Sequence, residues 1–238
     1  MKNEKSKFLV PQCLSALAPY KKNAFTLAEV LITLAIIGVV AAMTIPTLIS
    51  NYNKKVVEVK LQKMYALMSN AIAMSVVDHG ETISWNYTFG DSSTPYSDVL
   101  AWYNKYLAPY LKVTKVEQEE DTENLLIYLL DGSIVKIENI IYDWELYTNK
   151  TAIKTPKVGV SHFMFRFQPK LTEAQVDDDR FANVLSPTIN SYGYCWDGTY
   201  EGAKYSSCNN GCYQSSALCA KLIHLNGWKI PNDYPYKF

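Results

Sequence analysis

Histidine is nearly missing from this chain. It occurs three times in 238 residues, as His79, His162 and His224, and none stands at a spacing that pairs it with a cysteine or a carboxylate. That removes the usual basis for a catalytic dyad or a histidine-rich metal centre. Also absent are paired carboxylates in helical register, a phosphate-cradling glycine loop and a serine nucleophile elbow, so no enzyme and no cofactor is expected. There is no internal repeat and no low-complexity linker. Net charge is missing too, because 23 basic and 23 acidic groups balance. Without a basic excess, the electrostatic ground for non-specific nucleic-acid binding is gone.

The charge that is present is unevenly placed. Residues 1–24 hold five of the 23 basic groups (Lys2, Lys5, Lys7, Lys21, Lys22) and one acid, Glu4, leaving 18 basic and 22 acidic groups beyond them. A run of twenty uncharged residues follows, Val30 to Ile49. At about 1.5 Å per residue this makes a helix of about 30 Å, the thickness of a hydrocarbon core. It is too long for a signal-peptide core, and no small-residue cleavage site follows it. Cys13 makes a poor lipoprotein site because Gln12 precedes it. Five lysines before the run and four soon after (Lys54, Lys55, Lys60, Lys63) give a slight preference for the N-terminus inside.

A single carboxylate, Glu29, stands at the mouth of the apolar run. A charge there is costly and calls for a cation. Beyond the run the pattern turns amphipathic. Val57, Leu61, Met64 with Tyr65, Met68, Ile72 and Val76 recur at helical spacing, and Gly80 is suited to end the helix. The reading is one helix over residues 25–77, about 80 Å long, with its membrane part at 30–49. Gly38 and Pro46 lie inside it, and Pro46 is expected to kink or open it locally.

From residue 78 to 238 a globular α+β head is expected. Ser97 is positioned to cap a helix over 98–111, with Leu100, Tyr103, Leu107 and Tyr110 inward. Leu125–Leu130 and Ser133–Glu138 flank Asp131-Gly132, a two-residue hairpin signal. Residues 140–147 read as another strand. Residues 161–168 alternate, with Phe163, Phe165 and Phe167 on one face and His162, Met164 and Arg166 on the other. Residues 215–226 read as a helix ended by Gly227, with His224 as a surface residue near its end. Residues 227–231 read as a final strand or docking segment with Trp228 buried. The architecture expected is a small antiparallel sheet packed on the distal half of the long helix.

Lys21-Lys22, then Ala24 followed by Phe25-Thr26-Leu27-Ala28-Glu29 and the apolar run, resembles the prepilin-type cleavage and methylation segment of type IV pilins and type II secretion pseudopilins. The resemblance covers residues 21–50, and the chain departs from it in carrying Ala24 where the family has Gly. It implies a pilin-like fold and a leader, residues 1–24, removed between Ala24 and Phe25 by a prepilin peptidase that also N-methylates Phe25. It further implies a single-pass cytoplasmic-membrane protein with an extracytoplasmic head. An assembly platform and its ATPase would lift that head into a filament with other pilin-like subunits. Glu29 would then meet the new Phe25 amine of a neighbouring subunit, and Gly38 and Pro46 fall where many pilins weaken the helix. The function implied is a structural filament subunit serving type II secretion or a type IV pilus-like system. The alternative is a low-abundance minor pilin-like adhesin that binds through its tyrosine-rich C-terminal head.

Cys13 would leave with the leader. Cys195, Cys208, Cys212 and Cys219 remain, an even number in an exported tail, which reads as two disulfides that staple the C-terminal region. If residues 215–226 are helical, Cys212 and Cys219 stand about 10 Å apart, beyond disulfide reach. Two connectivities are left open: Cys195–Cys219 with Cys208–Cys212, and Cys195–Cys212 with Cys208–Cys219. The cysteine spacing is not that of a zinc site. Asp177, Asp178 and Asp179 are weak calcium candidates, suggested by pseudopilins that hold calcium in a C-terminal loop, but they lack an EF-hand spacing. A solvated acidic turn suits them better, and no metal is expected.

Overall fold

The computed structural model describes residues 25–86, 94–169, 185–186, 196–209, 211–215 and 217–238. The chain divides into two compact units, the first ending at Pro46 and the second running from Thr47 to Phe238. Helix α1 runs from Leu27 to His79, without interruption at Gly38 or Pro46. The expected bounds of 25–77 are thus displaced by two residues at each end. Gly80 stops the helix at a φ of +78°, a conformation glycine adopts without steric cost.

Among the described residues of the first unit nearly every side chain is exposed, Leu31, Ile36, Val40 and Ile45 among them. The apolar part of α1 is long and apolar enough to cross a membrane. Two of its three hydroxyls are satisfied within the helix: Thr33 Oγ1 donates to the Val30 carbonyl and Thr44 Oγ1 to that of Val40, each at 2.9 Å. Internal satisfaction of this kind is what a lipid environment demands of polar groups.

In the second unit α1 buries one stripe: Val57, Leu61, Met64, Met68, Ala71, Ile72 and Ser75. The steps of three and four residues keep these side chains on one face. That stripe packs into the same core as a six-stranded antiparallel sheet whose strands neighbour one another in chain order. The strands are β1 (Val113–Gln118), β2 (Leu125–Leu129), β3 (Ile134–Ile137), β4 (Asp143–Tyr147), β5 (His162–Phe167) and β6 (Leu185–Ser186). Leu125, Ile127, Val135, Trp144, Leu146, Phe163, Phe165 and Phe167 fill this core. The alternation expected for 161–168 is realised, since a strand sends successive side chains to opposite faces.

The other helices are short: α2 (Tyr96–Tyr106), α3 (Lys150–Lys154), α4 (Tyr200–Lys204), α5 (Cys212–Ser215) and α6 (Cys219–Leu225). Three expectations need correction. Helix α2 starts and ends earlier than expected, with Pro95 rather than Ser97 at its N-cap, and it buries Val99, Trp102, Tyr103 and Tyr106. Continuation of the helix is blocked by Pro109, and the chain tightens into a 3-10 turn at Ala108–Tyr110. The β2–β3 loop has three residues, not two. Leu129 N donates to Ser133 O and Gly132 N to Leu129 O, with only Gly132 at positive φ. That is a type I turn closed by a glycine bulge, whereas a two-residue type I′ turn would also need Asp131 at positive φ.

The third correction concerns the C-terminal region. The expected helix over 215–226 is divided into α5 and α6, and 227–231 form no strand. Instead the C-terminal segment docks on α1. Ile230 N donates to Glu58 Oε1 at 3.0 Å, and Lys229 Nζ lies 3.1 Å from Glu58 Oε2. Burial works against the Glu58 charge, but these two contacts outweigh it and lower its pKa. Tyr234 OH donates to Gly159 O at 2.6 Å. Trp228 is only half-buried, at 5.1 Å from the Tyr65 ring and 4.8 Å from that of His224. His224 is half-buried rather than fully on the surface, and burial, with a smaller contribution from Lys221, lowers its pKa.

Candidate processing and assembly segment

Thr26 and Glu29 form a closed hydrogen-bonded pair at the start of α1. Thr26 N and Thr26 Oγ1 donate to Glu29 Oε2 at 2.8 and 2.9 Å, and Glu29 N donates to Thr26 Oγ1 at 3.2 Å. Thr26 is the N-cap and Glu29 the third helical residue, which is a reciprocal capping box. The first turn of a helix leaves four N–H groups without intrahelical partners, and this pair satisfies two of the backbone donors there. A carboxylate in that turn also faces the positive end of the helix dipole. Among the described residues Glu29 Oε1 accepts no hydrogen bond, so half of the carboxylate is left to meet a further donor. Phe25 next to it is 85% exposed.

Of the remaining residues singled out by sequence, Gly38 has open space where a Cβ would stand, so nothing within the described chain requires glycine there. Pro46 lacks an N–H, which leaves the Ala42 carbonyl without its usual helical partner. The division between the two units falls directly after Pro46. Ala24, Cys195, Asp177, Asp178 and Asp179 lie outside the described residues. Among the described residues no group of three His, Cys, Asp or Glu side chains is placed to hold a metal ion.

The expected disulfide staple of the C-terminal region is present, but the expected connectivity is overturned. Cys212 and Cys219, the pair disfavoured by helical spacing, are bonded to each other, with their Cα atoms 4.4 Å apart. The break between α5 and α6 folds the chain back, so the spacing along a continuous helix does not apply. Neither connectivity left open by the sequence survives. Cys208 is also disulfide-bonded.

The outer face of the sheet carries a charged cluster that sequence reasoning missed. Glu145 accepts from His162 Nε2 at 2.8 Å, from Lys136 Nζ at 3.0 Å and from the Tyr147 hydroxyl. Burial opposes its charge, but these donors outweigh burial and hold its pKa at about 2. Nearby Glu138 is pushed up to about 7, first by burial and further by Glu145 and Asp143, against the pull of Lys136. The signal was present as alternation, because Lys136, Glu145 and His162 share one face through the pairs Lys136↔Glu145 and Tyr147↔His162. Lys221 is a second surprise: it is buried, 4.2 Å from the Trp196 ring, and burial lowers its pKa to about 8.

Residues 47–238, the whole second unit, match the family of unknown function DUF6613. The chain belongs to that family. In this DUF6613 protein the segment ahead of the head is separately recognisable: residues 20–45 match the prokaryotic N-terminal methylation motif, the signature of type IV pilins and pseudopilins. The two matches meet where the units divide, so the DUF6613 head is joined to a pilin-type N-terminus. The N-terminal segment of the protein is thus type IV pilin-like or pseudopilin-like. No curated protein and no solved structure matches the chain.

Proposed function

We propose that this protein is a structural subunit of an extracytoplasmic helical filament, matured by prepilin peptidase and serving type II secretion or a type IV pilus-like system. The observation that carries this reading is the methylation motif over residues 20–45, continuous with an apolar helix of membrane length. Cleavage between Ala24 and Phe25 creates an amine directly ahead of the capping box. The apolar part of α1 anchors the subunit in the cytoplasmic membrane before assembly and lies among its neighbours afterwards. An assembly platform and ATPase supply the work of extraction.

Glu29 has two tasks in this reading. Its Oε2 closes the first turn of its own helix. Its Oε1 side receives the Phe25 amine of a neighbouring subunit. A charge pair inside a bundle of apolar helices favours correct register more than stability, because an unpaired partner there is heavily penalised. Mass spectrometry of the mature protein tests the processing route. The expected result is a chain that starts at Phe25 with one added methyl. An intact Met1, or a start beyond residue 49, would sink the reading.

A further inference from the structure

The charges of the head are sorted by strand end. Successive antiparallel strands place the β1–β2 and β3–β4 turns at one end of the sheet, and the β2–β3 and β4–β5 connections at the other. Among the described residues the first end has an excess of acids, with Lys115 paired to Glu117, Lys136 to Glu138 and Arg166 to Asp143. Its edge hairpin carries Glu117, Glu119, Glu120, Asp121 and Glu123, with Glu120 and Asp121 exposed at the tip and Glu138 and Asp143 beside the next turn. The second end is basic. The β4–β5 connection and the C-terminal segment are held alongside α1, through Lys60 Nζ donating to the Thr148 carbonyl at 2.5 Å and through the Glu58 contacts. Among the described residues this gathers Lys54, Lys55, Lys60, Lys157, Lys229 and Lys237, against Glu58 and against Asp131 of the β2–β3 loop, which pairs with Lys63.

A concavity of about 270 Å³ opens at this end, lined by one of these lysines, Lys60, with Asn53, Val56, Asn149, Ser161 and Phe238 among others. The two ends cannot neutralise each other within one copy. Even β2 alone separates them by about 17 Å, about twice the screening length of about 8 Å at physiological salt.

We propose that the lysine end of one head receives the acidic β1–β2 hairpin of a second copy of this chain, head to tail. This rests on the filament reading above and gives it an interaction surface. The two patches differ, so the contact is heterologous, and a heterologous contact that does not close on itself propagates as an open helix. Complementary charge steers such encounters and penalises a wrong register. The hairpin tip is the shape for a concavity: it is an edge hairpin, turned at Asp121, whose φ is +59°.

The test is carbodiimide cross-linking of full-length chains, an equal mixture of ordinary and nitrogen-15-labelled protein, in phosphatidylcholine vesicles with and without phosphatidylglycerol and in sheared filaments. The expected products join lysines of 54–60, 157 or 229–237 to carboxylates of 117–123 and carry one label of each kind. Lys157→Glu with Lys237→Glu, or Glu120→Lys with Asp121→Lys, should each reduce them more than tenfold. Combining all four substitutions should restore them. The four side chains are exposed, and unchanged thermal melting excludes misfolding. Cross-links confined to one label overturn the proposal, as does failure of the four-fold swap to restore them. Lysines shielded only by phosphatidylglycerol also overturn it and assign that end to lipid. Mature, Phe25-methylated filaments without mixed cross-links would refute this surface while leaving the filament reading standing. Loss of filaments and cross-links together would remove both.

Discussion

Glu29 Oε2 takes two hydrogen bonds from Thr26, while Glu29 N returns one to the Thr26 hydroxyl. The acid of the methylation motif is therefore a helix cap before it is anything else, which separates its two tasks experimentally. Glu29→Gln keeps an acceptor for the cap, since glutamine serves in a capping box, but removes the charge. Thr26→Val keeps the charge and removes the cap. We expect Glu29→Gln to leave first-turn amide exchange unchanged and to abolish incorporation into sheared filaments. Thr26→Val should destabilise the first turn by about 0.5–2 kcal/mol, the usual worth of an N-cap. That loss is readable as faster amide exchange at Ala28 and Glu29, with assembly reduced rather than lost.

The outer-face cluster predicts a stability profile with two opposed limbs. Glu145 is held at about 2 in the fold against an ordinary 4.5, so its contribution is complete above about 4.5 and is lost as pH falls toward 2. Glu138 is raised to about 7, so the fold binds a proton that the unfolded chain releases, and stability falls as pH rises from 4.5 to 7. Thermal melting against pH should show both. Glu138→Gln should flatten the limb between 4.5 and 7, and Glu145→Gln should flatten the acid limb and lower the melting temperature at neutral pH. A Glu138→Gln profile that still falls over that interval would contradict the assignment.

Lys221 is a buried cation whose compensation is an aromatic face, Trp196. Its pKa of about 8 against an ordinary 10.5 means that the unfolded chain binds more protons between those values, so stability rises with pH through that window. Lys221→Met keeps the shape and removes the charge. It should stabilise the head by about 2 kcal/mol at pH 7, the cost of the lowered pKa less the cation–π contact. It should also abolish the rise above pH 8. Denaturant unfolding at pH 7 and pH 10 measures both.

The Cys212–Cys219 bond closes a short loop, for which the chain-entropy account gives about 2–3 kcal/mol. Replacing both cysteines by serine should lower stability by about that much. The effect should concentrate in the C-terminal segment, because Gly159 packs against both Tyr236 and Cys219 Sγ, at 2.8 and 3.1 Å from where a Cβ would be. Gly159→Ala should produce the same local loosening without touching the bond. Peptide mapping of the unreduced protein should recover residues 212 and 219 in one linked peptide.

What the sequence revealed and what it hid divide along physical lines. Periodicity alone placed the buried stripe Val57, Leu61, Met64, Met68 and Ile72 and the buried face Phe163, Phe165 and Phe167, because each element shows one face to a single core. The Thr26-x-x-Glu29 spacing was equally visible, yet its capping role is masked by the motif that contains it. The Cys212–Cys219 bond was missed because a local helix break, invisible to a 3.6-residue period, decides whether two cysteines can meet. Glu138, Glu145 and Lys221 take their unusual chemistry from burial and from partners distant in sequence, and no local pattern encodes that.

The clasp between Glu58 and Lys229–Ile230 joins residues that are made far apart in time. Glu58 leaves the ribosome well before its partners Lys229 and Ile230, which lie 171 and 172 residues further along. The Glu58 carboxylate therefore stays uncommitted until those two residues have been made and have reached it. Premature termination even a few codons upstream of Lys229 would deliver an anchored subunit whose head lacks its closing clasp. Closure of the head therefore waits on the synthesis of this one late segment.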